Sequence, residues 1–122
     1  MRRLSVLLVV IIMLVSLTAC STNVVKGTVI QNSDNGYAVL DIMPQKLLEF
    51  FEIGENVVVI IGDFEEEMPL VDHIIEEDGK LQLYYSSEEH TLYIVSYNQN
   101  FCERYNIVAN SKVKIKKPFG IV

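Results

Sequence analysis

Histidine is nearly missing from this sequence: His73 and His90 are the only two, and neither falls among cysteines or acids at a spacing that a zinc site requires. The acidic runs Glu65-Glu66-Glu67 and Glu76-Glu77-Asp78 lack the alternating oxygen ligands of a calcium loop and read as solvated charge. No metal and no cofactor is therefore expected. Cysteine is scarce as well, with Cys20 and Cys102 alone. Cys102 has no histidine near it in sequence, and no Ser/His/Asp or Cys/His arrangement stands out, so nucleophilic catalysis has no candidate. Basic side chains number 10 against 16 acidic ones. A phosphate-binding surface needs clustered positive charge, and this balance excludes nucleic acid as a partner. Internal repeats and low-complexity linkers are also absent.

What is present begins with an uncharged run. Arg2 and Arg3 precede an apolar stretch from Leu4 to Leu17 that only Ser5 and Ser16 interrupt, and Leu17-Thr18-Ala19-Cys20 follows. Charge, apolar run and small residues stand in the order of a secretory signal. Leu-Thr-Ala-Cys resembles the lipobox of bacterial lipoproteins, in which cleavage falls just before the cysteine and its thiol takes a diacylglyceryl group. The competing reading is an uncleaved membrane anchor, but the run is short of the roughly 20 residues that span a bilayer. The expectation is a signal-peptide helix over 1–19, a lipidated Cys20 with a short tether over 20–24, one domain over 25–117 and a tail over 118–122. The partner so implied is the membrane, through acyl chains on Cys20 at the extracytoplasmic face of the cell membrane.

Removing the signal changes the charge. Arg2 and Arg3 leave with it, so 10 basic side chains become 8 against 16 acidic ones, and the net charge moves from −6 to −8. A negative body beside an anionic membrane is repelled, which predicts a domain that is tethered without lying on lipid. Cys102 is then left alone and is expected to be a small buried apolar residue.

The mature chain alternates. Lys26 to Asn32 predicts a strand, Ser33-Asp34-Asn35-Gly36 a turn, and Tyr37 to Ile42 a strand pairing back on the first. Pro44 to Phe51 changes to helical spacing, with Leu47, Leu48 and Phe51 on one face, and ends near Gly54. Asn56 to Ile61, almost wholly β-branched, predicts a strand buried on both faces. Residues 64 to 76 contain Pro69, which cannot donate to a ladder, and predict an edge strand or irregular crossover. Further strands are expected over Lys80–Tyr85, His90–Tyr97 and Lys112–Lys116, with a helical turn or two from Asn98 to Tyr105 capped by Asn98. In the last strand the alternating lysines are expected to guard a sheet edge. Six or seven short strands with one or two short helices define an all-β fold, a small and mostly antiparallel barrel. Its core is expected from Val29, Val39, Phe50, Val57, Val59, Ile61, Leu81, Leu83, Leu92, Ile94, Ile107, Val113 and Ile115. Tyr84 and Tyr93 fall opposite the apolar faces of their strands. With Tyr85, Tyr97 and Tyr105 they suggest either an exposed aromatic binding patch or cross-strand packing of half-buried rings.

Three stretches carry a resemblance over about nine-tenths of the mature chain. They are Gly36-Tyr37-Ala38-Val39-Leu40-Asp41-Ile42, Ile53-Gly54-Glu55-Asn56-Val57, and Leu92-Tyr93-Ile94-Val95 followed by Asn98 to Ile107. In order and spacing they resemble the C-terminal β-barrel domain of the S-adenosyl-L-methionine hydroxide adenosyltransferase family, relatives of the fluorinating and chlorinating enzymes. The resemblance implies a barrel whose hairpin and turn line an adenosine site. At the two hairpin asparagines of that family this chain has Tyr37 and Asp41, and at the turn glycine it has Gln99, while Asn100 persists. The larger domain that supplies the family's water-positioning acids has no counterpart here.

These readings converge on a membrane-anchored, extracytoplasmic, non-catalytic barrel that binds an unknown protein or small molecule. Tyr37, Asp41, Tyr93 and Asn100 are its candidate ligand-binding residues. The alternative is a remnant or accessory subunit of an adenosyl-compound enzyme, completing a partner's active site.

Overall fold

The computed structural model describes residues 24–118; the predicted signal peptide, Cys20 and residues 119–122 lie outside the described residues. No helix among the described residues is long and apolar enough to cross a membrane. Seven strands and two short helices follow in the order β1 (Val24–Asn32), β2 (Ala38–Leu40), α1 (Pro44–Leu48), β3 (Asn56–Ile61), β4 (Phe64–Val71), β5 (Leu81–Ser86), β6 (Thr91–Ser96), α2 (Phe101–Arg104) and β7 (Lys112–Lys116). The strands close into a barrel in the spatial order β1-β2-β6-β5-β4-β3-β7. Every pairing is antiparallel except β4 with β5. The expected all-β barrel is thus the fold.

Register defines its two ends. Val24 pairs with Lys116 and Val58 with Lys116, so β1 enters, β7 leaves and β3 starts at one end, here the tether end. α1 and the segment from 49 to 55 that leads into β3 belong to the same end. The turn before β2, the β3–β4 turn and α2 belong to the far end.

Alternation fills the interior. Val25, Val29, Val57, Val59, Ile61, Leu83, Leu92, Ile94, Ile107, Val113 and Ile115 are all buried. Two core expectations fail. Phe50 stands exposed while Phe51 is buried with Leu47, as the helical spacing of that pair predicts. They lie one turn apart, with Phe51 N–H donating to the Leu47 carbonyl at 3.1 Å, and Leu48, expected on the same face, turns out to solvent with Phe50. Leu81 is only half-buried, at the start of β5.

Other differences are local. β3 is buried on one face only: Val57, Val59 and Ile61 point inward, Val58 and Ile60 are half-exposed. β2 is trimmed to three residues, and Gly27 lets it lie close, since a Cβ there would stand 2.8 Å from the Asp41 carbonyl oxygen. The cap of α2 is Asn100, whose Oδ1 accepts the Glu103 N–H at 2.9 Å; Asn98 instead takes a left-handed backbone with φ of 59°. β7 is no edge: β1 flanks it on one side and β3 on the other. β4 is a regular strand paired with β3 along its length, and only Leu70 and Val71 pair with β5. Pro69 therefore sits where the second side of β4 carries no ladder.

The segment from 72 to 80 runs back outside the barrel and is fastened by Gln82. This side chain points outward yet is fully buried. Its Oε1 accepts the Ile75 N–H at 2.7 Å, and its Nε2 donates to the Ile75 carbonyl at 3.1 Å and the Lys80 carbonyl at 3.3 Å. A buried amide needs such partners, and this one replaces a missing ladder with side-chain bonds. At the far end α2 completes closure: Phe101 and Tyr105 pack on Phe64 at ring separations of 5.3 and 4.8 Å, and Arg104 donates to Ser96 Oγ at 3.1 Å.

Candidate functional site

The outward positions of β2, β6 and β5 hold the candidate site. Val39 pairs with Tyr93, and Tyr93 with Tyr84, so alternation brings the last two rings to the same exterior face. Tyr37, just before β2, reaches the same row. Tyr37 meets Tyr93 edge-on at 6.0 Å, and Tyr93 stacks on Tyr84 at 6.0 Å with 21° between planes. All three are half-buried. Both readings of the tyrosines meet here: the rings pack across strands, and the packed row is a surface. Tyr85 and Tyr105 leave it for the barrel core, where they pack against the buried cluster. Tyr97 lies beside it in a neighbouring cleft.

The four sequence-predicted residues fall into two clefts joined by this row. Asp41 and Tyr93 line a cleft of about 680 Å³ near the tether end, with Glu89, His90 and Thr91 on its rim. Tyr37 and Asn100 line one of about 400 Å³ at the far end, with Asn35, Tyr97, Asn98 and Gln99. The Tyr37–Tyr93 contact connects the two. Asp41 is tied into the hairpin through its backbone, its N–H donating to the Thr28 carbonyl at 2.8 Å.

Asn100 has a structural duty beside its place in the cleft. It caps α2 and fills the space over Gly36, where a Cβ would stand 2.7 Å from the Asn100 Cα. Gly36 has φ of +80°, and its carbonyl accepts the Cys102 N–H at 3.2 Å. The hairpin turn and α2 therefore position one another.

Electrostatics mark Tyr93. Its hydroxyl donates to Glu89 Oε2 at 2.6 Å, and this bond, helped by partial burial, pushes its pKa up to about 12. The phenol therefore stays protonated at all physiological pH and acts as a hydrogen-bond donor rather than a base. Cys102 is free and buried, and burial raises its thiol pKa, as expected of a packing residue. His73 bonds exposed Asp72 at 3.0 Å, which lowers the Asp72 pKa, and the pair is wholly on the surface. Among the described residues, no three His, Cys, Asp or Glu side chains are grouped to hold a metal ion.

Sequence reasoning missed Glu89, Ser96 and Arg104. Glu89 lies in a polar turn, and nothing in a turn signal shows that it reaches Tyr93 four residues on. Gln99 joins Arg104 and Ser96 in a polar cluster, with Arg104 Nη1 donating to Gln99 Oε1 at 2.6 Å and Ser96 Oγ donating to it at 2.9 Å. Ser96 is buried at a core position, so Arg104 and Gln99 satisfy its hydroxyl.

No protein-family model matches the chain, and no curated protein matches it. Solved structures do. An uncharacterized conserved protein from Thermotoga maritima superposes with a TM-score of 0.71 at 16% identity, over 80% of this chain and 37% of that one. A conserved hypothetical protein from Thermus thermophilus gives a TM-score of 0.54 at 15% identity, over 74% of this chain and 34% of that one. These likenesses show the fold. The chain spans about a third of the length of either structure.

Proposed function

We propose that this chain is a lipid-anchored, extracytoplasmic binding module without catalytic activity, attached through Cys20 and meeting its ligand along Tyr37, Tyr93 and Tyr84. The observation that carries the reading is the connected aromatic row on the barrel exterior, with a cleft at either end. Rigid half-buried rings present a large contact area at low entropic cost, and Tyr93 adds a donor held in place by Glu89. Support for the anchor is the register of Arg2-Arg3, the apolar run and Leu17-Thr18-Ala19-Cys20. The resemblance to the adenosyltransferase barrel is compatible with solved neighbours in which the shared fold occupies about a third of a longer chain. A barrel of that kind alone supplies orientation and contact but not the hydrolytic groups.

Two measurements test the proposal. Metabolic labelling with a palmitate analogue is expected to mark the wild-type chain and not Cys20→Ala; label persisting in the variant sinks the anchor. Calorimetric titration of the full chain in detergent, with adenosine and with S-adenosylmethionine, is expected to give no heat. Micromolar binding that is lost in Tyr93→Ala would overturn this reading in favour of an accessory subunit for an adenosyl-compound enzyme.

A further inference from the structure

The lysines of β7 need a different explanation from edge protection, because β7 has no open edge. Lys112, Lys114 and Lys116 alternate with buried Val113 and Ile115, so all three point outward from the middle of a closed wall. Lys26 of β1 stands in register opposite Lys114, and Lys117 follows directly. Four of the eight basic side chains that remain beyond Arg3 therefore lie on one face, with Lys117 just past its end. Lys26, Lys112 and Lys114 share a groove of about 650 Å³ with Asp41 as its acidic member, and Lys117 is balanced by Glu55 at 3.8 Å. Of the acids, Glu65 and Glu67 lie two strands away on the outer face of the same wall, opposite Ile60 and Val58, which pair with Lys114 and Lys116, whereas Asp63 lies in the β3–β4 turn and Glu76 to Asp78 outside β5. Like charges crowded in register oppose one another across a ladder, so the row is a cost that an anionic partner would relieve.

The position of the tether says which partner. Val24, the first described residue, pairs with Lys116 on this same face, and Cys20 stands four residues upstream. At roughly 3.5 Å per residue the chain from Cys20 to Val24 reaches at most about 14 Å, which keeps the start of β1 within about two Debye lengths of the headgroups at physiological salt. We infer that the β1–β7 lysine face docks on the anionic lipid surface beside the anchor, turning the acidic far side and the tyrosine row away from the bilayer. The net charge of the domain predicts repulsion; the segregated charge replaces repulsion with orientation. The inference rests on the lipid anchor proposed above.

The test uses the full chain in vesicles of phosphatidylcholine, with and without phosphatidylglycerol. Lysine acetylation is followed by mass spectrometry, with Lys80 as the internal reference. Lys112 and Lys114 are expected to react roughly fivefold more slowly, relative to Lys80, in the anionic vesicles, and salt should abolish the difference. Equal relative rates in both vesicles overturn the inference. Protection found in intact cell envelopes but not in anionic vesicles also overturns it, in favour of an anionic wall polymer. The triple variants K26E/K112E/K114E and K26Q/K112Q/K114Q, checked for strand content by circular dichroism, are expected to lose the protection. The mass of the mature N-terminus reports the anchor independently. A lipidated chain with unprotected lysines sinks the docking face alone, and an unlipidated chain whose lysines are protected on added anionic vesicles sinks the anchor alone.

Discussion

The wall formed by β1, β7, β3 and β4 and the seam between β4 and β5 close the same barrel by opposite means. The wall is all antiparallel ladder: β3 and β4 match at six residue pairs, and β1 and β7 at five. Its plainest strand, β7, alternates apolar and polar residues without a break. The seam is the one parallel junction and matches only Leu70 with Leu83 and Val71 with Tyr84. What completes it is irregular. The Gln82 amide holds the returning segment, and α2 bridges from Ser96 to Phe64 above the point where β4 and β5 separate. Glu66 marks the gap: it shares the inward side of β4 with Phe64 and Met68, opposite buried Val59, yet stays exposed. A repeating pattern closes the wall; a few single side chains close the seam.

Substitutions can break that contrast. The largest effect is expected at Leu83, fully buried and half of one of the two seam pairs. Leu83→Ala should lose about 2–5 kcal/mol in urea denaturation, and a loss below about 1 kcal/mol would mean the seam does not depend on its few pairs. Gln82→Leu should lose about 1–3 kcal/mol, because it strands the N–H and carbonyl of Ile75. Asn100→Ala removes the α2 cap at the far end of the seam and should lose about 1 kcal/mol. On the wall, Lys114→Ala should change stability by no more than about 0.5 kcal/mol. A wall substitution as damaging as Gln82→Leu would erase the distinction.

A titration sharpens the comparison on the seam side, where Tyr93 stacks on Tyr84 of β5. The Tyr93 pKa is raised from 10.0 to about 12 in the folded state, so folding favours the protonated phenol. Its contribution to stability is complete below pH 10.0 and is lost as pH rises through about 12. Ultraviolet titration should find a late tyrosine step in the native chain that is absent from Tyr93→Phe. In Glu89→Gln, which removes the largest cause of the shift, that step should move down toward the ordinary value.

The same contrast explains what could be read from the sequence. Asn56 to Ile61 was legible in its bounds, from its β-branched run, but not in its one-sided burial. Lys112 to Lys116 was legible to the residue, since a two-residue period is all that a ladder strand needs. The tyrosine face of β5 and β6 followed from the same period. The place of the lysines in a closed wall was not legible, because periodicity tells which face a residue takes and not whether its strand lies at an edge. The same period places Gln82 on the outer face, but its burial depends on a segment that has no period of its own. The i, i+4 spacing of Leu47 and Phe51 was legible and holds, and the expectation of Phe50 in the core ran against that spacing. Asn98 and Asn100 both suit a cap, and only the left-handed backbone of Asn98 decides between them. Of the site, Tyr37 and Tyr93 come together in one row, whereas Asp41 and Asn100 occupy its two separate ends.

The pairing of β1 with β7 on one side and β2 on the other has a mechanical consequence. A domain held at Cys20 and pulled through a ligand on its tyrosine row is loaded along β1 from the Val24 end. The hydrogen bonds of the five pairs to β7 and the three to β2 lie across that pull, so the strand is sheared instead of unzipped. Their bonds share the force at once, and the bulge between Val29 and Gln31 adds a step against sliding. A pull through such a tether therefore meets the ladder on both sides of β1 in shear.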